Sequence, residues 1–507
     1  MIEHKYIKSD VRIFYTLVFN YARVAVAFMT MLQIAKYLGP SEYGNYVYLL
    51  STATAAISFI NLDTYSAFYT YISSIRRGMI FYRLYSLWLF IQFVLLLVFA
   101  MLTFYIFPEK IWFNNNIITI ILSVIASFSM HQLWRTAKQI GESIRDTRLV
   151  QLINLFITIS IFIGIIILQS KDAFSINAVL FITSLINTSA SIAYIAYAVN
   201  LELIDNNNPE DLKSILTDYY IYSKPLVALL LVSTITIYLD SWILQYYGSS
   251  VQQGYLSIGK RFSALVLVST ASIVQVLWKE VSELFNKNDI AQVATLYKKY
   301  LKGMFALSCF VAFFILPYSS EVVVFTVGEE YRGSIIPFAV MLLNPIQQTI
   351  GQINGLMFYA MASTVLLSRI GIITSLGSTL VNMVLVGYIY YYSGDMLTSS
   401  TMSIKIVCVG FVNANIMSYY IAKKLGIRYE WKYQLFYPLF FASISFPIKY
   451  LFDITMQVGP DLILLKLVIS FACYSSVIII FVLLRIKRLG LRISGIRNIK
   501  SILQKIM

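Results

Sequence analysis

Charged residues are scarce in this 507-residue chain: Asp, Glu, Lys and Arg make up 12%, about half the share in soluble globular proteins. Three cysteines are too few for a disulfide framework. Two histidines, His4 and His131, cannot build a histidine-rich metal cluster. In contrast, 59% of the residues are hydrophobic and 15% aromatic, which excludes a disordered scaffold and an ordinary water-soluble enzyme. The composition indicates a polytopic membrane protein.

Apolar windows of about 20 residues, the length that crosses a bilayer as a helix, recur along the chain. Six are predicted in the first part, at residues 11–37, 47–71, 84–107, 117–138, 149–169 and 176–199. Eight follow a polar stretch, at residues 219–246, 255–278, 303–327, 335–359, 369–392, 400–422, 434–452 and 461–484. The predicted fold class is therefore an all-α membrane protein with about 14 transmembrane helices.

Basic residues set the predicted orientation, because short loops rich in Lys and Arg stay in the cytoplasm. Most of the 39 Lys and Arg lie at the two termini and in the connections after even-numbered spans. Both termini are therefore predicted to be cytoplasmic. The net charge of +15 reflects this topology and attraction to anionic lipid head groups, so we expect no nucleic-acid partner.

A short segment recurs at the ends of the first and seventh spans. Gly39 and Gly44 in the first copy correspond to Gly248 and Gly254 in the second, and the polar stretch after span six separates the two halves. Six spans per repeat predict two pseudo-symmetric six-helix lobes related by an axis along the membrane normal. The predicted division is an N-terminal lobe, a cytoplasmic linker, a C-terminal lobe, two further helices and a basic cytoplasmic tail, at residues 1–200, 201–218, 219–424, 425–484 and 485–507.

A nucleotide site is not predicted. The segment Gly254 to Lys260 matches the G-x-x-x-x-G-K phosphate loop, but Arg261 stands where Ser or Thr must hold magnesium. The segment also opens a membrane span instead of following a soluble strand. We therefore expect no ATP hydrolysis by this chain and no cofactor beyond a coupling ion.

Several short motifs resemble a known family, the polysaccharide transporters (Wzx-like flippases) of the multidrug/oligosaccharidyl-lipid/polysaccharide exporter superfamily. The resemblance is carried by Leu38-Gly39-Pro40-Ser41-Glu42-Tyr43-Gly44, Asp240, Gly248, Gly254-Tyr255, Lys260-Arg261 and Gly328-Glu329-Glu330-Tyr331. Where relatives show a D-L-G-like stretch late in span two, this sequence has Asn61-Leu62-Asp63-Thr64.

The resemblance implies a non-enzymatic flippase in the bacterial cytoplasmic membrane. Its substrate would be an undecaprenyl-diphosphate-linked oligosaccharide repeat unit, moved to the outer leaflet by alternating access for surface polysaccharide such as O-antigen or capsule. The coupling ion would be a proton or sodium ion. The expected partners are the lipid-linked substrate, membrane lipids, and the polymerase and chain-length proteins of the same pathway.

A sugar chain crossing hydrocarbon needs a hydrated path, which appears in sequence as polar stripes at helical spacing. Arg23, in the middle of span one, is expected to receive the diphosphate or an acidic sugar; the alternative is an ion pair with Asp63 or Asp240. His131 and Arg135 lie on a stripe in span four, although Arg135 could instead mark the cytoplasmic boundary.

Other polar residues extend this path. Lys260 and Arg261 could form a release site or reach the head groups. In span ten, Asn344, Gln348 and Gln352 share a face that either lines the path or bonds a neighbouring helix. As coupling carboxylates we predict Asp240 and Asp63, with a structural ion pair as the alternative for each.

Three other functions stay open from the sequence. A peptidoglycan lipid-precursor flippase shares the 14-span plan. A cation-coupled multidrug exporter usually has twelve spans and acidic rather than cationic residues in mid-span. A membrane-embedded glycan polymerase or ligase, from a different functional class, would need a long external loop, which the sequence lacks.

Overall fold

The computed structural model describes residues 9–74, 77–199, 211–361, 363–456 and 462–488, and these ranges contain helices and no strand. The helices of the first half are α1 (Ser9–Asn61), α2 (Thr64–Ser74), α3 (Met79–Ile106), α4 (Pro108–Ile111), α5 (Ile117–Phe128), α6 (Trp134–Ser143), α7 (Thr147–Ser170) and α8 (Ile176–Val199). Those of the second half are α9 (Leu212–Tyr247), α10 (Ser250–Asn286), α11 (Ile290–Ile315), α12 (Ser319–Val327), α13 (Ile335–Met341), α14 (Asn344–Ala360), α15 (Thr364–Val386), α16 (Ser399–Lys424), α17 (Tyr433–Thr455) and α18 (Ile463–Arg488). The predicted all-α fold class is confirmed.

The predicted spans coincide with these helices. Within the described ranges, 11 helices are long and apolar enough to cross a membrane, when α1 is taken as one helix. The first predicted span lies in α1, which is kinked at Gly39 (φ 72°), and the second begins in α1 after the kink and continues into α2. The left-handed φ favours glycine, and Pro40 next to it removes a backbone donor, so the chain turns here without leaving the helix. Predicted spans eight and ten correspond to α10 and to α13–α14, which accounts for about 14 crossings.

Both halves repeat the same helix pairs. In the first half α1 packs against α7 and α5 against α8; in the second half α9 packs against α15 and α14 against α16. We call α1–α8 the N-lobe and α9–α16 the C-lobe. The predicted domain boundaries stay a prediction; residues 201–210 of the linker and residues 489–507 of the basic tail lie outside the described residues.

The last two helices attach to the outside of the C-lobe. The α17 helix packs against α11, and α18 packs against α17. The hydroxyl of Tyr474 on α18 also donates a hydrogen bond to the carbonyl of Phe310 on α11 at 3.1 Å. The pair therefore adds to the C-lobe beyond the six-helix repeat.

The two copies of the repeated segment meet each other at one end of the lobes, which we call the Gly39 end. A Cβ atom on Gly44 would lie 1.7 Å from the Ser250 carbonyl oxygen, and one on Gly254 would lie 2.2 Å from the Pro40 carbonyl oxygen. The hydroxyls of Ser41 and Ser250 are 2.9 Å apart. Only glycine permits this approach, so the repeat predicted from sequence forms the closure between the lobes at the Gly39 end.

A second seam between the lobes, formed by α2, α4 and α9, is held at both ends. At the Gly39 end the Trp242 indole donates to the Lys110 carbonyl at 2.7 Å. At the opposite end Arg77 lies 3.7 Å from the Asp218 carboxylate, and the Tyr71 hydroxyl donates to the Asp218 carbonyl at 2.8 Å. Movement between the lobes must therefore break polar contacts along this seam.

Candidate functional site

A break in the backbone separates α1 from α2 and shapes the N-lobe wall. Leu62 and Asp63 both have positive φ, 48° and 62°, which is unusual for residues other than glycine. The Asn61 amide donates to the Gln132 side-chain oxygen at 3.1 Å, and its own oxygen accepts the Thr64 hydroxyl at 2.5 Å. A strained break of this kind persists only where the surrounding contacts hold it in place, and such breaks cluster at ligand sites.

Asp63 is buried in this break and begins the next helix. Its carboxylate accepts the Ser66 hydroxyl at 2.7 Å, and its carbonyl accepts the Ser66 amide at 3.0 Å. This arrangement gives Asp63 a structural role at the start of α2. Its predicted role as a coupling carboxylate stays a prediction.

A π-helical turn, Ser129–Leu133, interrupts the span that carries His131 and Arg135. The sequence places Ser123, Ser127, His131, Arg135 and Gln139 nearly on one face, but the extra residue of a π turn rotates the face. As a result Ser123, Ser127 and Gln139 are buried, whereas His131 and Arg135 are exposed. The structure therefore splits the predicted stripe and keeps its two basic residues together.

Arg135 rests on an aromatic ring. Its guanidinium carbon lies 3.4 Å from the centre of the Tyr65 ring, a close cation–π contact. Tyr65 is held in turn by its backbone amide, which donates to Asn61 at 3.3 Å. Among the described residues no acceptor takes a hydrogen bond from the Arg135 guanidinium, so its planar set of donors is available to an anion.

Arg261 brings a basic group from the C-lobe to the same place. It is exposed, and its charge acts on His131 together with that of Arg135. It also approaches the buried hydroxyl of Tyr43 on α1 without a well-aligned hydrogen bond. His131 is accessible although protein surrounds it on most sides. These residues therefore form an exposed basic group contributed by both lobes, which we call the cationic recess and define by His131, Arg135 and Arg261.

Arg23 lies further along α1, away from the Gly39 end. Its Nη2 donates to Asn20 at 2.9 Å, while its buried Nε has no acceptor among the described residues. Phe28 contacts Phe262, the neighbour of Arg261, with ring centres 4.8 Å apart. Phe28 therefore marks the level of Arg261 on α1. At about 1.5 Å of rise per residue, Arg23 lies roughly 8 Å along the helix axis from Phe28.

The alternative of an ion pair with Asp63 or Asp240 is not observed for Arg23 in the described ranges, where both carboxylates have other partners. A buried guanidinium nitrogen without an acceptor is costly, and a bound anion would satisfy it.

The predicted polar face on α14 divides into two parts. Asn344 is buried, donates to the Ser263 hydroxyl at 3.0 Å and accepts from Gln347 at 2.7 Å, so it fastens α14 to α10. Gln348 and Gln352 are half-buried. They share their face with Gly351 and Gly355, whose surroundings are open for at least 4 Å. This stripe is the open side of an otherwise buried helix.

Lys260 and Arg261 point into different surroundings although they are consecutive. One residue turns an α-helix by about 100°, so Lys260 faces the interior of the C-lobe, within electrostatic range of Asp240 and Lys405. Asp240 accepts the Lys405 ammonium at 2.6 Å and the Asn382 amide at 2.7 Å. These contacts join α9, α15 and α16, and the charge of Lys260 on α10 acts on them.

Sequence reasoning missed Lys405 as the partner of Asp240. The Lys405 side chain is 2% exposed. The available signal was its position inside predicted span twelve, because an ionisable residue within a span needs a partner. The roles predicted for Asp240, Lys260 and the other site residues stay predictions.

No protein-family model matches the sequence, and no curated protein is similar to it. Solved structures do share the fold. The lipid II flippase MurJ in an inward closed conformation has a TM-score of 0.63 at 14% identity, covering 93% of this chain and 100% of that chain. An inward-facing multidrug resistance MATE family transporter of the MOP superfamily has a TM-score of 0.60 at 15% identity, covering 80% and 94%.

A MOP superfamily transporter from Pyrococcus furiosus, described as having a binding pocket of reverse polarity that suggests a different function, has a TM-score of 0.56 at 14% identity and coverages of 82% and 95%. The chain is therefore a multi-pass membrane protein with the fold of the MOP superfamily transporters. This agrees with the superfamily named from the sequence motifs; the polysaccharide-transporter family within it stays a prediction.

Proposed function

We propose that this protein is a flippase that moves an undecaprenyl-diphosphate-linked oligosaccharide repeat unit from the inner to the outer leaflet of a bacterial cytoplasmic membrane. The cationic recess carries this proposal. Basic side chains from both lobes converge there, next to the closed Gly39 end. A diphosphate offers the negative charge and the oxygen acceptors that guanidinium groups bind best.

Closure at the Gly39 end supports transport by alternating access. With both termini in the cytoplasm, as proposed from the basic loops, this end faces outward and the recess loads from the inner leaflet. Release then requires separation of Gly44 from Gly254. Because Arg135 and Arg261 come from different lobes, the same movement pulls the two guanidinium groups apart and weakens their hold on the anion.

The coupling ion is proposed to be a proton or sodium ion acting at Asp63 or Asp240. Of the two, Asp240 already neutralises Lys405, so loading an ion there must first break a buried pair. Asp63 accepts only neutral donors among the described residues. Asp63 is therefore the better-placed group for reversible binding of a cation.

Lipid II transport is the second candidate. One observation favours it: the MurJ likeness covers 93% of this chain, which is more than the 80% covered by the MATE transporter. Export of cationic drugs is disfavoured, because the recess is lined by cations and Asp240 is already paired with Lys405. The proposed pathway partners are a polymerase and a chain-length protein, which would receive the repeat unit after transport.

The proposal is tested by deleting the gene and complementing the strain. Wild type is expected to restore surface glycan, while Arg135→Ala and Arg261→Ala leave undecaprenyl-linked units on the inner leaflet. Arg83→Ala, at an exposed arginine on α3, serves as the matched control at equal protein level. Lysis of the deletion strain would indicate lipid II instead, and drug sensitivity alone would indicate an exporter.

A further inference from the structure

A second cavity lies away from the cationic recess, on the outer surface of the C-lobe. It is a groove of about 710 Å³ between α15 and α16. Its walls include three exposed apolar side chains, those of Ile373, Val412 and Tyr419. Asn415 lies among them. None of these residues takes part in the proposed transport path.

The groove lies within one half of the bilayer. It begins at Ile370, six residues after the start of α15, and it extends on α16 from Tyr420 back to Phe411. At about 1.5 Å per residue the α16 wall runs from roughly 6 to 20 Å below the end of α16, and the α15 wall from roughly 9 to 15 Å below the start of α15. These depths are close to that of one leaflet of a hydrocarbon core about 30 Å thick. Water is absent at that depth, so a lipid chain must fill an apolar groove.

Basic residues lie at the open end of the groove. Tyr429 lines both the groove and a small adjoining cavity, whose walls include Lys298, Lys302 and Arg428. Tyr429 also donates to Asn415, which holds the connection between α16 and α17 over the groove. The apolar groove therefore continues directly into a group of cations.

One carboxylate already occupies these cations. Glu430 lies 3.3 Å from the Lys298 ammonium and 2.5 Å from that of Lys302. The hydrogen bond from Lys302 lowers the pKa of Glu430 below its ordinary value, so this group stays ionised at neutral pH. Arg428 is exposed beside it. The cluster thus keeps a net positive charge next to an anion that a phosphate could replace.

We propose that this groove binds one anionic phospholipid of the cytoplasmic leaflet. Its acyl chain lies between α15 and α16, and its phosphate binds Arg428 and Lys302 in competition with Glu430. The site is separate from the transport path and does not depend on the cargo. Charge complementarity favours an anionic lipid over a zwitterionic one, because each basic residue near a membrane surface adds about fivefold to the affinity.

The test uses the full chain with benzoylphenylalanine introduced at Thr374, which lines the groove. The protein is reconstituted into vesicles of phosphatidylcholine and phosphatidylglycerol in equal amounts, with undecaprenyl phosphate added. After illumination, mass spectrometry identifies the attached lipid. We expect phosphatidylglycerol to exceed phosphatidylcholine at least fivefold.

Two variants and a control separate lipid binding from general structure. Arg428→Gln should lower the preference for phosphatidylglycerol about fivefold, and Glu430→Gln should raise it, whereas Arg83→Gln should leave it unchanged. A structural ion pair would not produce opposite effects. Equal labelling of both phospholipids, insensitive to Arg428→Gln, would overturn the proposal, as would labelling by undecaprenyl phosphate, which would make the groove a cargo-tail site.

Discussion

The contact between Gly44 and Gly254 predicts that a single methyl group opens the Gly39 end. In Gly44→Ala the new carbon would lie 1.7 Å from the Ser250 carbonyl oxygen and 2.7 Å from the Gly254 nitrogen. Both neighbours are backbone atoms, which cannot rotate away. The two helices must therefore move at least about 1.3 Å further apart, since real contacts of this kind stay beyond 3.0 Å.

The expected energy follows from overpacking. An extra methyl group forced into a tight interface typically costs about 1–3 kcal/mol. The penalty acts only on the state in which the Gly39 end is closed, so it shifts the closed-to-open ratio by about 5- to 150-fold. Gly303→Ala is the matched control, because a Cβ at Gly303 meets no atom within 4 Å.

A disulfide measures this closure directly. The hydroxyls of Ser41 and Ser250 are 2.9 Å apart, so Ser41→Cys and Ser250→Cys should cross-link under mild oxidation. The native cysteines, Cys309, Cys408 and Cys473, are replaced first so that no other thiol competes. The cross-linked protein should lose transport and regain it on reduction.

Gly44→Ala should slow this cross-linking strongly, while Gly303→Ala should leave its rate unchanged. Equal rates in the two variants would refute the assignment of this glycine pair as the closing contact. Cross-linking without loss of transport would show that the Gly39 end does not need to open.

Three further changes test the site and its supports. Arg23→Gln should lower surface glycan at least about tenfold, as expected when a buried charged hydrogen bond to the anion is lost; unchanged glycan would rule the residue out. Tyr65→Leu removes the cation–π contact with Arg135 and should weaken binding of inorganic diphosphate to the purified protein by about 2- to 30-fold. This effect must vanish in an Arg135→Ala background. Lys405→Met leaves Asp240 buried without its partner and should cost about 3–5 kcal/mol of stability in thermal unfolding. The double variant with Asp240→Asn should recover most of that loss, and a silent Lys405→Met would contradict the pairing.

The sequence located the basic residues of the recess but not their arrangement. His131 and Arg135 were predicted together because they are four residues apart. The π-helical turn that exposes them, while Ser127 and Gln139 are buried, leaves no simple pattern in the sequence. Lys260 and Arg261 were predicted as one site, yet adjacent helical residues diverge by about 100°, and the structure places them in different clusters.

Local physics explains what the sequence by itself determined. The number of helices, their apolar length and the repeated glycine segment depend on stretches of about 20 residues or fewer, so they could be read directly from composition and spacing. Tertiary structure alone decided which faces meet. Asp240 finds Lys405 165 residues away, and Gly44 meets Gly254 across the lobes. Within a membrane, many polar and small side chains are compatible with the same helix. Which of them contact each other is decided only when distant helices pack together.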